Sequence, residues 1–220
     1  LFGMMFLIPS IPGKVKGTIL GGRKIPVEIC AAFAVLFLGC MYLFVLPPLS
    51  APDEIAHFSS AYAISNQMMG MERTDEYGFV LMRKEDEFLQ NVELVSGSED
   101  RTSLGRTLTE DTWQKIVDRA APLFVSDEQK VMVSSVNGQN HTTPVSYLAP
   151  AIGITLGRLL GVNCIALAFL GRFMNLLFYA AMVYGSVKVL PFGKMILFGV
   201  SILPMALHLA ASYSYDTFLM

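Results

Sequence analysis

The stretch that decides the fold is ICAAFAVLFLGCMYLFVL, residues 29–46. A run of ~18 apolar residues at a rise of ~1.5 Å each crosses a hydrocarbon layer of ~30 Å, and here no Asp, Glu, Lys or Arg appears until after Pro52. Working outward, Met195 to Tyr215 is a second uncharged run, and Leu159 to Val187 is a third, broken only by Arg172. Apolar types make up 53% of the chain and charged types 15%, whereas a soluble domain carries about a quarter of its residues as charges. The expectation is an all-α polytopic membrane protein with about three spanning helices.

The apolar opening LFGMMFLIP, which begins at Leu1, reads as the end of a preceding apolar stretch, and the chain as an N-terminal fragment of a longer protein. The alternative, the tail of a signal sequence, lacks a small-residue cleavage site after it. Cys30 and Cys40 fall in the first span and Cys164 at the start of a later one, so no disulfide framework is implied.

Charge asymmetry sets the expected topology. Lys14, Lys16, Arg23 and Lys24 precede the first span and place that end in the cytoplasm by the positive-inside rule. Residues 50–143 hold sixteen of the eighteen acidic residues and eight of the sixteen basic ones, a formal charge of −8, which suits an extracytoplasmic loop. The return is open to two readings. VSYLAPAIGITLGRLLG (Val145–Gly161) either spans, which puts Lys188 and Lys194 outside, or lies in the interface with Pro144, Tyr147 and Pro150 near headgroups, which puts both lysines inside. The second is preferred. The expected order is then a cytoplasmic-side segment at 1–27, a spanning helix at 28–49, the extracytoplasmic loop at 50–143, an interfacial or re-entrant helix at 144–161, spanning helices at 162–187 and 195–215 joined by a cytoplasmic loop at 188–194, and an extracytoplasmic end at 216–220.

The loop should be mostly helical. TEDTWQKIVDRAA has Trp113, Ile116, Val117 and Ala120 at helical spacing with Thr109 as a cap; KEDEFLQNVELV is a second candidate helix, VMVSSV a strand, and SGSEDRTS an exposed turn.

The segment richest in chemistry is PPLSAPDEIAHFSSAYAIS (Pro47–Ser65), just after the first span. Ser50 followed by Asp53 resembles a capping box, Pro52 suits a first turn, and Ile55, Phe58 and Tyr62 form one stripe, so a short helix near the membrane plane is expected. Asp53 and His57, four apart, share a face, with Glu54 beside them. The plain alternative is that the two acids complement the helix dipole. Asp and His at this spacing also admit a divalent metal, though two ligands do not define a site and no metal ligand is assigned. Arg172, in LGRFMNLL, needs a partner inside an apolar run: it is either a carboxylate-paired or snorkelling arginine, or an anion-binding one suited to phosphate. Asp216 and His208 lie in the last apolar run, as an interfacial residue and a bundle residue. Asn140-His141-Thr142 forms a glycosylation sequon by pattern. No nucleotide-binding glycine motif or nucleophile elbow occurs, and an acidic loop argues against nucleic acid as a partner.

Taken in order, APDEIAHFSSAYAIS, TPVSYLAPAIGITLGRLLG, LGRFMNLL, LPFGKMILFGVSILPM and ASYSYD resemble a bacterial family of predicted multi-pass membrane proteins, domain of unknown function 2142, which looks like a branch of the GT-C glycosyltransferase superfamily. The likeness covers most of the chain outside the 66–140 insert. It implies a GT-C-like helical bundle in the plasma membrane, an enzyme transferring a sugar from a polyprenyl-phosphate donor, with inversion, to an extracytoplasmic acceptor, with that donor and membrane lipids as partners. By resemblance Asp53 matches the catalytic carboxylate and Glu54 its neighbour, with His57, Arg172 and Asp216 as substrate-binding candidates and Arg172 the cation for the departing phosphate. A flippase with a polar path through Arg172, His208 and Asp216 is the alternative from another class, and a noncatalytic assembly protein is the third.

Overall fold

The computed structural model describes residues 19–20, 23–91, 110–138 and 143–220. A short antiparallel pair, β1 (Ile19–Leu20) and β2 (Arg23–Lys24), leads into helix α1 (Val27–Val45). With a mean hydropathy of 2.2 and only 22% of its window buried, α1 turns most of its apolar surface outward, Phe33, Phe37, Met41 and Phe44 included. Its buried edge is Ala31, Val35, Gly39 and Leu43, four residues apart and therefore one seam. The seam packs on α6 (Cys164–Val189), the second helix long and apolar enough to cross a membrane. Gly39 is needed there, since a Cβ would lie 2.9 Å from Leu176 Cδ2.

At 26 residues and ~1.5 Å per residue, α6 is about 39 Å long and outreaches α1. The C-terminal end of α1 meets α6 near Phe169 and Arg172: the Phe44 and Phe169 rings are 6.0 Å apart, and Arg172 bonds the Leu46 carbonyl. Residues of α6 before this level belong to a polar lobe. There α5 (Leu148–Leu160), led in by a 3-10 turn at Pro144–Tyr147, runs antiparallel beside it. The connection is tight because Gly161 takes a left-handed conformation at φ 67°, where glycine carries no steric cost, and Asn163 caps α6 by accepting from the Ala166 amide. Backbones approach closely at Gly153, where a Cβ would lie 2.5 Å from the Leu170 carbonyl oxygen.

The lobe is built around α2 (Glu54–Met68), buried without interruption from His57 to Asn66. The expectation of a single apolar stripe is therefore corrected: α2 is a core helix packed against α5, the Pro144–Tyr147 turn and the antiparallel strands β3 (Phe79–Arg83) and β4 (Met132–Gly138), with Glu54 reaching Arg172 of α6. α3 (Lys84–Asn91) and α4 (Glu110–Ala120) complete it. Both helices and the VMVSSV strand fall where the sequence suggests, although on α4 only Ile116 of the expected stripe is buried, with Trp113 and Val117 exposed. Acids of the loop are used internally: Asp86 accepts from Arg83 and from the Tyr62 hydroxyl, and Glu85 pairs with Arg119. Lys14, Lys16, SGSEDRTS, Thr109 and the sequon lie outside the described residues.

The run 195–215, expected as one helix, is realised as α7 (Lys194–Ser201) and α8 (Pro204–Ala210), followed by a turn and the short α9 (Asp216–Leu219). Pro204 is the cause. It has no N–H to continue the ladder and holds Leu203 out of the helical region at ψ 141°, so the chain restarts with Pro204 at the first helical position. The broken rod nonetheless runs the length of α1. Lys194 lies 3.9 Å from Glu28 at one end, and Tyr213 donates its amide to Glu54 at the other.

Candidate functional site

Where α1 ends and the lobe begins, four segments meet on one ion pair. Arg172 donates from Nε to Glu54 Oε1 at 2.8 Å and from Nη2 to Oε2 at 2.6 Å, and both side chains are fully buried. Two further guanidinium donors, from Nη1 and Nη2, go to the Leu46 and Pro47 carbonyls at 2.9 and 2.8 Å, which the end of α1 leaves without helical partners. Glu54 in turn accepts from the Ala51 amide at 3.0 Å and the Tyr213 amide at 3.1 Å. A buried charge pair is favourable when the geometry is bidentate and the other lone pairs are filled, and that condition is met. The carboxylate-paired reading of Arg172 is the observed one. Glu54 and Arg172 each spend their hydrogen-bonding capacity on one another and on backbone, so neither faces solvent.

This node fixes the residue before it. Asp53 takes a left-handed conformation at φ 54°, ψ 10°, and Leu49, whose side chain is buried, does the same at φ 56°. Left-handed backbone is tolerated by Asp but uncommon for a bulky residue such as Leu, and persists only where the surroundings over-determine it. Ser50 does not cap α2; its hydroxyl donates to the Pro47 carbonyl at 2.8 Å, and the helix starts three residues later than the capping-box pattern suggests, with Asp53 at the N-cap. The Asp53 carboxylate makes no capping bond and is exposed. Its main chain does the capping instead, its carbonyl accepting from the Ala56 and His57 amides.

One turn on, His57 is buried and its Nδ1 lies 2.8 Å from the Tyr147 hydroxyl. Its ring stands edge-on to Tyr215 at 5.2 Å and tilted against Tyr147 at 5.8 Å. Burial pulls this imidazole below its ordinary value, while Asp53, Asp216 and Glu54 pull it the other way. Asp216 starts α9 and accepts from the Ser214 hydroxyl at 3.2 Å. His57 thus packs against Tyr147 and Tyr215 and lies within electrostatic reach of Asp53, Asp216 and Glu54. His208 stands apart, with its ring 6.5 Å from Tyr42. Among the described residues no three His, Cys, Asp or Glu side chains are grouped as metal ligands.

Two features went unread in the sequence. Tyr147 was read as lying near headgroups and Tyr215 only as the end of the last apolar run, yet both rings pack against His57. Arg158 is the only charge between Val145 and Gly161, and that isolation was its signal. It is buried, donates to Asn66 Oδ1 at 2.7 Å and Ser65 Oγ at 3.1 Å, and lies over the Tyr62 ring.

α1, facing largely outward, and α6, more than half buried, are the two helices among the described residues that are long and apolar enough to cross a membrane. A family described as predicted membrane protein (DUF2142) matches residues 36–220, and the chain belongs to it. No curated protein and no solved structure matches.

Proposed function

We propose that the protein is a GT-C-type glycosyltransferase of the plasma membrane, taking a sugar from a polyprenyl-phosphate donor to an extracytoplasmic glycan, lipid or protein. The observation that carries the reading is an exposed carboxylate, Asp53, held in left-handed backbone at the junction of a spanning helix and a polar lobe. In this reading the lobe is extracytoplasmic, α1 and α6 span, α7 and α8 form a broken third crossing, and α5, which lies beside the part of α6 that outreaches α1, stays outside.

Asp53 accepts the proton of the acceptor hydroxyl as that oxygen attacks the anomeric carbon. The bond from that carbon to the phosphate oxygen breaks, and the electron pair leaves on the polyprenyl phosphate, a single displacement with inversion. His57 and Asp216 bind substrate hydroxyls. Glu54 and Arg172 act through Asp53 as positioning residues, because their own polar atoms are engaged. Purified protein supplied with defined polyprenyl-phosphate sugar and acceptor should form new glycosidic product and release polyprenyl phosphate. Movement of intact donor across a vesicle bilayer without product would instead make it a transporter.

A further inference from the structure

Tyr147 closes the Pro144–Tyr147 turn and is 1% exposed. A buried hydroxyl needs a hydrogen-bond partner, and among the described residues the one bond this hydroxyl makes is to His57 Nδ1 at 2.8 Å. A phenol can donate or accept, and a neutral imidazole nitrogen does one or the other according to its tautomer. If Nδ1 carried the proton and donated, the Tyr147 O–H would be left without an acceptor. Both groups are satisfied when Tyr147 donates to an unprotonated Nδ1, which leaves the ring proton on Nε2. Full protonation of the ring is opposed in the same way, because an N–H at Nδ1 would turn the buried O–H away from its acceptor.

Nε2 is placed differently. It has no hydrogen-bond partner among the described residues and is not one of the buried atoms that lack a partner, so it is accessible from outside. The His57 amide donates to the Asp53 carbonyl at 3.2 Å, so imidazole and exposed carboxylate project from one turn of backbone. Asp216 acts on the ring from α9, while Glu54 is already paired with Arg172. A neutral N–H beside carboxylate acceptors suits a hydroxyl, whose oxygen takes the N–H and whose hydrogen goes to a carboxylate. An anionic group would be repelled by the same carboxylates. We infer that Tyr147 is a positioning residue that holds His57 as the neutral Nε2–H tautomer, and that this N–H donates to a hydroxyl of the sugar substrate. The tautomer stands on the contact itself, and the sugar as recipient rests on the glycosyltransferase reading.

NMR of the intact protein with isotope-labelled histidine nitrogens reads the tautomer directly, with His57→Gln identifying the signal. At neutral pH His57 should show an unprotonated Nδ1 and a protonated Nε2. In Tyr147→Phe, which keeps the ring and removes the hydroxyl, the proton should distribute over both nitrogens. Circular dichroism checks the fold of that variant, and the wild-type spectrum decides by itself should it misfold. A wild-type ring protonated at Nδ1, alone or together with Nε2, overturns the inference, as does a folded Tyr147→Phe that keeps the wild-type tautomer alone. In the transfer assay with a defined polyprenyl-phosphate sugar, Tyr147→Phe should raise KM for that donor about two- to tenfold, as for one weakened hydrogen bond, with kcat nearly unchanged. An unchanged KM overturns the contact with substrate. Wild-type protein that forms no glycosidic product while showing the expected tautomer would refute the glycosyltransferase reading and leave the Tyr147–His57 lock supported.

Discussion

Replacing Arg172 with Met keeps much of the aliphatic stem and removes the guanidinium. Glu54 then stays fully buried as a carboxylate without its two charged donors, the Leu46 carbonyl loses its guanidinium donor, and the Pro47 carbonyl keeps only those of Ser50. Breaking a buried pair from one side costs about 3–5 kcal/mol. For a chain of this length that is a fall in Tm of roughly 6–20 °C. Glu54→Gln alone strands the arginine instead and should cost a similar amount. In the Arg172→Met background its sign reverses. Glutamine is neutral and still offers a carbonyl to the Tyr213 or Ala51 amide, so the double variant should be about 2 kcal/mol more stable than Arg172→Met by itself. Thermal unfolding in detergent, followed by circular dichroism, measures all four corners of the cycle. If the two substitutions add to within about 0.5 kcal/mol, they do not form a coupled pair, and the node at the α1–lobe junction is not what holds Asp53 in place.

Three further outcomes follow from the same geometry. Gly153→Ala drives a Cβ into the Leu170 backbone and should destabilise the α5–α6 pair by about 1–3 kcal/mol in the same unfolding measurement, whereas Gly185→Ala should leave Tm unchanged or higher. Tyr62→Phe removes the hydroxyl that donates to Asp86 and accepts from the Arg83 amide, a loss of about 1–3 kcal/mol. Because burial depresses the His57 pKa, the folded protein resists protonation below about pH 6.5 while the unfolded chain does not, so stability is present above that pH and is lost as pH falls toward the folded value. His57→Gln should flatten the Tm profile between pH 7 and 5, and Asp53→Asn should move the His57 titration, followed by NMR, further down.

The two helices long and apolar enough to cross a membrane were legible because such a helix needs a long, nearly uncharged run, which α1 and, apart from Arg172 and Lys188, α6 supply. Arg172 was legible as a residue needing a partner, but not its partner: Glu54 is 118 residues away in sequence, and adjacency to Asp53 suggested a shared catalytic role. Within the lobe, local signals placed α3, α4 and β4. They misjudged α2, whose three-residue apolar stripe looked like one buried face. Its serines and asparagine are buried as well because they bond inward, Ser65 to Thr155 and Asn66 to Arg158, and tertiary bonding of that kind leaves no periodicity to read. The division of 195–215 at Pro204 was visible in the residue type but outweighed by hydropathy.

The proposal that Asp53 is the base is tested most directly by the rate of glycosidic product formation by Asp53→Asn beside the wild type, with purified protein, a defined polyprenyl-phosphate sugar and a defined acceptor. Asparagine keeps the size and the left-handed backbone of the residue but cannot take the proton, so the rate should fall by about 10²–10⁴ with Tm unchanged. Product formed by the folded variant at the wild-type rate would contradict it.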